Sequence, residues 1–227
     1  MRFIEWEPVY EEILSDLGFS RYEDEACVRV LLSVTLNNDL VSDEDAGALV
    51  RPVCTVFGNS PSLEEDVRRL GTEGTLIASG SSVGRLLAMG IFPDIVVTDL
   101  DGDIDAQLEA SSRGALTLLH AHGDNADLIS RYSSLLKGPV ALTTQSYPRD
   151  IVYNFGGFTD GDRAVCFARH FGCRRILLPG FDYDHPMPKE GSDPAMKSRK
   201  LAWAKRIIED MNPSGVELVY RCHRFIE

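Results

Sequence analysis

Asp99 and Asp101 stand two residues apart at the end of Ile95-Val-Val-Thr98, a short β-branched run preceded by Pro93 and closed by Gly102. Such a run reads as a buried strand, and in extended chain both carboxylates leave the same face. Carboxylates at the carboxyl end of a parallel strand lie where open α/β sheets bind ligands. A hard divalent cation such as Mg²⁺ takes one or two carboxylates and completes its shell with water and phosphate oxygens. The competing reading is an Asp pair that caps the next turn.

Other segments carry groups suited to the same chemistry. Gly58-Asn-Ser-Pro-Ser-Leu63 follows one apolar run and opens a helix, so Gly58, Asn59, Ser60 and Ser62 can offer N–H and hydroxyl donors to a phosphate. It is neither a Walker A loop nor G-x-G-x-x-G. Ser79-Gly-Ser-Ser82 repeats the arrangement, with Gly80 and Ser81 at its centre. His120-Ala-His-Gly-Asp-Asn125 places His122, Asp124 and Asn125 after another strand, where Asp124 can join Asp99 and Asp101 around a metal. Thr143-Thr-Gln145 adds hydroxyls and the Gln145 amide.

Asn154-Phe-Gly-Gly-Phe-Thr-Asp-Gly-Asp-Arg163 makes a poor strand and a poor helix core. Its paired glycines, Gly156 and Gly157, allow backbone to approach a ligand closely. Thr159 or Asp160 can cap a helix beginning near Asp162, and Arg163 offers a planar guanidinium to phosphate oxygens. Leu178-Pro-Gly-Phe-Asp-Tyr-Asp184 closes one more strand with Asp182 and Asp184. Lys197 and Lys200 lie beyond it, either as phosphate contacts or on a solvated helix face.

These groups require a scaffold that collects strand ends. The pattern predicts strands at Val53–Phe57, Thr75–Ala78, Ile95–Thr98, Leu116–His120, Val140–Thr143, Arg175–Leu178 and Val216–Tyr220. Helical segments separate them at Ser62–Leu70, Ser82–Met89, Ala106–Ser112, Asn125–Leu136, Gly161–Phe171 and Ser198–Met211. That alternation implies βαβ units and an α/β fold with a doubly wound, mostly parallel, Rossmann-like sheet. Residues 1–50 form a helical arm and 51–227 the α/β catalytic domain. In the arm, Trp6, Val9, Tyr10, Ile13, Leu14 and Leu17 follow a helical period that Gly18 stops. A second helix spans Tyr22 to Thr35 with Ala26, Val30 and Val34 on one face, and Ser42-Asp-Glu-Asp45 reads as a solvated connection.

Composition narrows the partners. A net charge of -12, from 35 acids against 23 bases, repels nucleic acid and anionic membrane. No run approaches the roughly 18 apolar residues of a membrane span and no signal-peptide core is present, so a cytoplasmic protein is expected. The five cysteines show no C-x-x-C spacing and read as free buried thiols. Cys222 beside His223 is a poor ligand pair, because adjacent strand residues face opposite ways.

The ordered blocks from residue 52 to about 205 resemble the archaeal 6-hydroxymethyl-7,8-dihydropterin pyrophosphokinase family. The residues that carry the likeness are Gly58–Leu63, Pro93–Gly102, His120–Asn125, Thr144-Gln145, Asn154–Arg163 and Gly180-Phe-Asp182. The family's first loop more often begins with a run of glycines, where this chain has Asn59-Ser60. The Asp-Leu-Asp and Gly-Asp-Asn blocks also look like the catalytic part of thiamine pyrophosphokinase.

The resemblance implies Mg²⁺-dependent transfer of the terminal diphosphate of ATP to a reduced pterin's hydroxymethyl group, with release of AMP, on the route to tetrahydromethanopterin- or folate-type cofactors. Asp99, Asp101 and Asp124 would hold the metal and Arg163, with Lys197 or Lys200, would neutralise the group in transit. Phe155 or Phe158 would stack on the pterin, and Asp160, Asp182 or Asn154 would pair with its edge. Thiamine as acceptor, glycosyl transfer from a nucleotide sugar, and nucleotide binding without turnover are the alternatives. ATP and a pterin are thus the expected partners. The oligomeric state is open, with a homodimer as the candidate.

Overall fold

The computed structural model of the chain describes residues 1–185, 187 and 193–220; Cys222 and His223 lie outside them. The apolar runs form one sheet of eight strands: β1 (Val53–Phe57), β2 (Thr75–Ser79), β3 (Ile95–Thr98), β4 (Leu116–Ala121), β5 (Val140–Thr144), β6 (Val152–Tyr153), β7 (Arg175–Leu177) and β8 (Glu217–Val219). Their order is β6-β5-β4-β3-β2-β1-β7-β8 and every pairing is parallel. The helices are α1 (Phe3–Leu17), α2 (Arg21–Val34), α3 (Asp43–Gly47), α4 (Leu63–Leu70), α5 (Val83–Ala88), α6 (Ile104–Ser112), α7 (Ala126–Tyr132), α8 (Asp160–His170) and α9 (Pro194–Lys205).

A parallel sheet needs apolar cover on both faces. Register supplies it in rows. Val56, Ile77, Ile95 and Leu116 align across four strands and meet Ala164, Val165, Phe167 and Ala168 of α8. The alternate row of Phe57, Ala78 and Val96 meets Leu63, Val83, Leu86, Ala106 and Ala110 from α4, α5 and α6. Cys27, Cys54, Cys166 and Cys173 are buried free thiols. Among the described residues, no helix is long and apolar enough to cross a membrane.

Of the N-terminal helices, α1 packs on α8 and α9, and α2 on β4, β5 and α7. Trp6, Val9, Tyr10, Ile13 and Leu17 of α1 pack with Phe158, Cys166 and Ile207. On α2 the buried stripe is Asp24, Cys27, Val28 and Leu31, not the expected Ala26, Val30 and Val34. Packing on Leu119, Ala121 and Ile129 selects that face, because these residues of β4 and α7 offer the apolar surface.

Three further expectations are corrected. Ser42 to Asp45 belongs to a short helix start, with the Ser42 hydroxyl accepting from Asp45 N at 3.0 Å, although its acids remain solvated. β6 was absent from the predicted strands; two residues pairing with Leu142 and Thr143 leave no periodic signal. The last helix starts earlier than Ser198, capped by Asp193, and passes into a wider π turn over Arg206–Asp210.

Candidate active site

The loops following β1 to β5 and β7 emerge on one edge of the sheet and line a cavity of about 600 Å³. Strand order reverses between β1 and β7, and such a switch point opens a crevice at the strand ends. Here Gly58 N donates to Pro179 O at 3.0 Å and Ser60 N to Gly180 O at 2.9 Å. A Cβ on Gly58 would stand 2.3 Å from Gly180 O, so only glycine allows the two loops to touch. Asn59, Ser60, Ser79 and Ser81 face the cavity. Ser62 lies behind it, its hydroxyl donating to Asp66 at 2.7 Å. Gly80 is packed beneath, where a Cβ would come within 2.5 Å of Thr98 Oγ1.

Asp99 and Asp101 both line the cavity, but extended chain does not bring them there. β3 ends at Thr98, and Leu100 adopts φ 62°. That conformation costs a non-glycine residue about 1–2 kcal/mol. Burial of Leu100 against Leu119, Ala121 and Ile129 offsets it. Side chains then fasten the turn: Thr98 Oγ1 donates to Gln107 Oε1 at 2.7 Å and accepts from Leu100 N at 2.8 Å. Gln107 Nε2 closes it on Asp101 O at 2.7 Å.

His122 bridges two acids. Its Nε2 lies 3.0 Å from Asp99 Oδ2 and its Nδ1 2.8 Å from Asp124 Oδ1. Burial lowers the imidazole's proton affinity, but the bonds to Asp124 and Asp99 prevail and raise its pKa to about 9. The same bonds act in reverse on the acids. Asp124 is lowered to about 2, chiefly by His122. Asp99 also sits below the usual carboxylate range, since His122 and Arg163 outweigh its burial. Asn125 braces this loop, donating to Asp99 O at 2.9 Å and His120 O at 2.7 Å while accepting from His122 N at 3.0 Å. It does not line the cavity.

Arg163, only 7% exposed, comes from the first turn of α8. Its Nη1 donates to Asp160 Oδ1 at 3.2 Å and its Nη2 to Gln145 Oε1 at 3.1 Å; its buried Nε has no hydrogen-bond partner among the described residues. Thr159 caps α8 in a reciprocal box with Asp162. Gly157 makes room for that turn: its φ is 95°, and a Cβ there would lie 2.5 Å from Arg163 Cα. Asn154 shapes the preceding loop, donating to Ser146 O at 2.6 Å and accepting from Gly156 N at 2.8 Å. Neither Asn154 nor Gly157 lines the cavity, whereas Phe158, Thr159, Asp160 and Gln145 do. Burial and the nearby Asp99 charge push the Asp160 carboxyl up, against the pull of Arg163.

Aromatic rings form two patches of wall. Phe19 and Phe158 lie 6.2 Å apart between ring centroids, and Lys200 Nζ stands 5.3 and 5.8 Å from them. Phe181 and Tyr183 pair edge-on at 6.4 Å across the β7 loop. Beside them Asp182 accepts from the backbone of Asp184 and His185, each at 3.0 Å. Phe155 sits in the core, edge-on to Phe167 at 5.2 Å, and is not at the cavity.

Phe19, Ser20, Glu23 and Asp24 of the N-terminal arm also line the cavity, and sequence reasoning placed none of them there. For Asp24 a signal existed: it occupies the first position of the spacing Asp24, Cys27, Val28, Leu31. An acid in an apolar helical stripe calls for buried partners. Phe19 and Glu23 carried no such sign.

At two positions the donor set of the cavity suits the magnesium that the resemblance implies. Asp99 and Asp101 are hard oxygen donors on one wall, which suits an ion that takes one or two carboxylates and completes its shell on phosphate and water. Asp124 is 86% exposed and engaged by His122. No group of three His, Cys, Asp or Glu side chains among the described residues is gathered to hold an ion.

Residues 35–187 match the family described as 6-hydroxymethylpterin diphosphokinase MptE-like. The chain belongs to this family. It is 39% identical to the 6-hydroxymethyl-7,8-dihydropterin pyrophosphokinase of Pyrococcus furiosus, over 95% of this chain and 96% of that protein. Proteins of the same description from Methanothermobacter thermautotrophicus and Methanocaldococcus jannaschii are 36% and 32% identical, over 92% and 90% of this chain and 95% and 93% of theirs. The MptE-like match spans the loops of β1 to β5 and β7, but starts downstream of α1 and α2.

Proposed function

We propose that this protein transfers the β,γ-diphosphate of ATP to the hydroxymethyl oxygen of 6-hydroxymethyl-7,8-dihydropterin, giving AMP and the pterin diphosphate. One observation carries the reading: Asp99, Asp101 and Arg163 share a cavity at the switch point of a chain similar over nearly its whole length to pterin pyrophosphokinases. The product would serve synthesis of tetrahydromethanopterin- or folate-type cofactors.

Asp99 and Asp101 are the residues to hold Mg²⁺, which when bound would draw charge from the phosphate oxygens. Asn59, Ser60, Ser79 and Ser81 supply hydroxyl, amide and N–H donors to the nucleotide. Arg163, which lines the cavity, offers the transferring group a planar guanidinium suited to phosphate oxygens. The acceptor oxygen forms its bond to the β-phosphorus as the bond from that phosphorus to the AMP oxygen breaks. A loose transition state of this kind asks mainly for positioning and charge stabilisation. The alcohol proton passes late to Asp124, which is ionised, rather than to His122, which already carries a proton at neutral pH.

The Phe19–Phe158 wall offers an apolar face to the flat pterin, and Asp160 an edge for its amide-amidine groups. Chromatography of the nucleotides formed from ATP, Mg²⁺ and the pterin tests the reading. AMP equal to the diphosphorylated pterin is expected. Turnover with thiamine and not with pterin would reassign the acceptor.

A further inference from the structure

Gln145 is gripped from two helices outside the sheet. Trp6 Nε1 of α1 donates to its backbone carbonyl at 2.8 Å, and its side-chain Nε2 donates to Asp24 Oδ2 of α2 at 2.9 Å. Asp24 is 3% exposed. Its other partners are Gly123 N, at 2.7 Å from Oδ1, and the Tyr10 hydroxyl. All three neighbours donate, so the carboxylate only accepts. Burial and Asp24 together raise the Tyr10 pKa far above its ordinary value, which keeps that hydroxyl a donor.

An amide has one accepting end and one donating end. With Asp24 taking the NH₂ end, Gln145 must present Oε1 to Arg163, and it does so at 3.1 Å. Asp160 receives the other arm of the guanidinium at 3.2 Å. Two acceptors in fixed places set the guanidinium plane, and one of them faces correctly only because Asp24 cannot donate. We propose that Asp24 is a positioning residue, which orients the Gln145 amide and through it the Arg163 guanidinium for the reaction. This rests on the diphosphotransferase reading of the site. The same carboxylate anchors Gly123, between His122 and Asp124, so a single side chain of the N-terminal arm serves both halves of the machinery.

The substitution Asp24→Asn tests it. Gly123 N–H and Gln145 reach different oxygens of Asp24, so the introduced amide keeps an oxygen for one of them only, and the backbone N–H, which cannot turn, takes it. Gln145 then flips, turning its NH₂ toward the guanidinium. Exchanging acid and amide between the positions, Asp24→Asn with Gln145→Glu, restores an acceptor facing Arg163 and a donor–acceptor pair behind it. The expected result is a kcat at least about tenfold lower in the single variant, with KM for ATP and pterin within about threefold, and recovery of most of that loss in the double variant. Melting temperatures of the single and double variants should agree, separating rescue from stabilisation.

An activity-independent readout accompanies it: the Arg163 Nε–H resonance, assigned by its loss in Arg163→Lys, should move in Asp24→Asn and return in the double variant. If Asp24→Asn fails to fold, Gln145→Glu provides the other leg, slow by itself and rescued by Asp24→Asn. A folded Asp24→Asn with wild-type kcat and an unmoved resonance overturns the proposal, as does a double variant no better than either single. A wild-type protein that makes no pterin diphosphate would sink the functional reading, while the resonance would still decide the role of Asp24.

Discussion

His122 Nε2 stands 3.0 Å from Asp99 Oδ2, so the loop after β4 and the carboxylate that follows β3 form one hydrogen-bonded unit. The imidazole occupies a position between Asp99 and Asp124, and the acids hold it protonated.

That unit makes the metal-free protein sensitive to alkali. The His122 pKa is raised from an unfolded value of about 6.5 to about 9 when folded. The stabilisation is therefore complete below about pH 6.5 and is lost as pH rises through about 9, a span on the order of 3 kcal/mol. In chelator, the melting temperature should fall across this window, and His122→Asn should flatten the slope. An unchanged slope in the variant would assign the pH dependence to other groups.

Loss of Asp101 should reach turnover more than stability. The side chain lines the cavity at the turn fixed by Thr98 and Gln107, and Gln107 holds it through the backbone carbonyl. Asp101→Asn should lower kcat by about 10²-fold or more, in line with removal of a charge-stabilising group, with a melting temperature close to wild type. Near-normal turnover would remove Asp101 from the metal site.

Arg163 holds Asp160 and Gln145 with separate nitrogens, a fork that lysine lacks. Arg163→Lys should leave kcat at least about tenfold below wild type despite the retained charge. Full activity in this variant would mean that charge alone suffices.

Gly157→Ala should damage both stability and rate. Its φ of 95° disfavours alanine, and the added Cβ would strike Arg163 Cα at 2.5 Å. A loss of about 2 kcal/mol or more is expected, read by denaturant unfolding, together with a lower kcat. A variant as stable as wild type would show that the turn relaxes freely.

Much of this architecture is legible in the sequence because parallel strands bury both faces: Val53–Phe57 and Ile95–Thr98 appear as predicted, and β2, β4, β5 and β7 within one residue. The loops at their ends follow, since strand direction carries Asp99, His122, Gln145 and Asp182 to one edge. What escaped depends on contacts distant in sequence. The buried face of α2 is chosen by Leu119 and Ile129, about a hundred residues away. Asp24 acquires meaning only beside Gln145, and β6 is too short to show a period. Leu100's left-handed turn is fixed by Gln107, a side chain that no local pattern around Asp99 includes.

ATP carrying ³²P at the β-phosphorus reports which phosphorus the acceptor attacks. Attack at that atom predicts that the label leaves the nucleotide, appears in the diphosphorylated pterin, and is matched by AMP, with all transfer abolished by chelator. Label retained in ADP, beside a monophosphorylated pterin, would place attack at the γ-phosphorus and contradict the account.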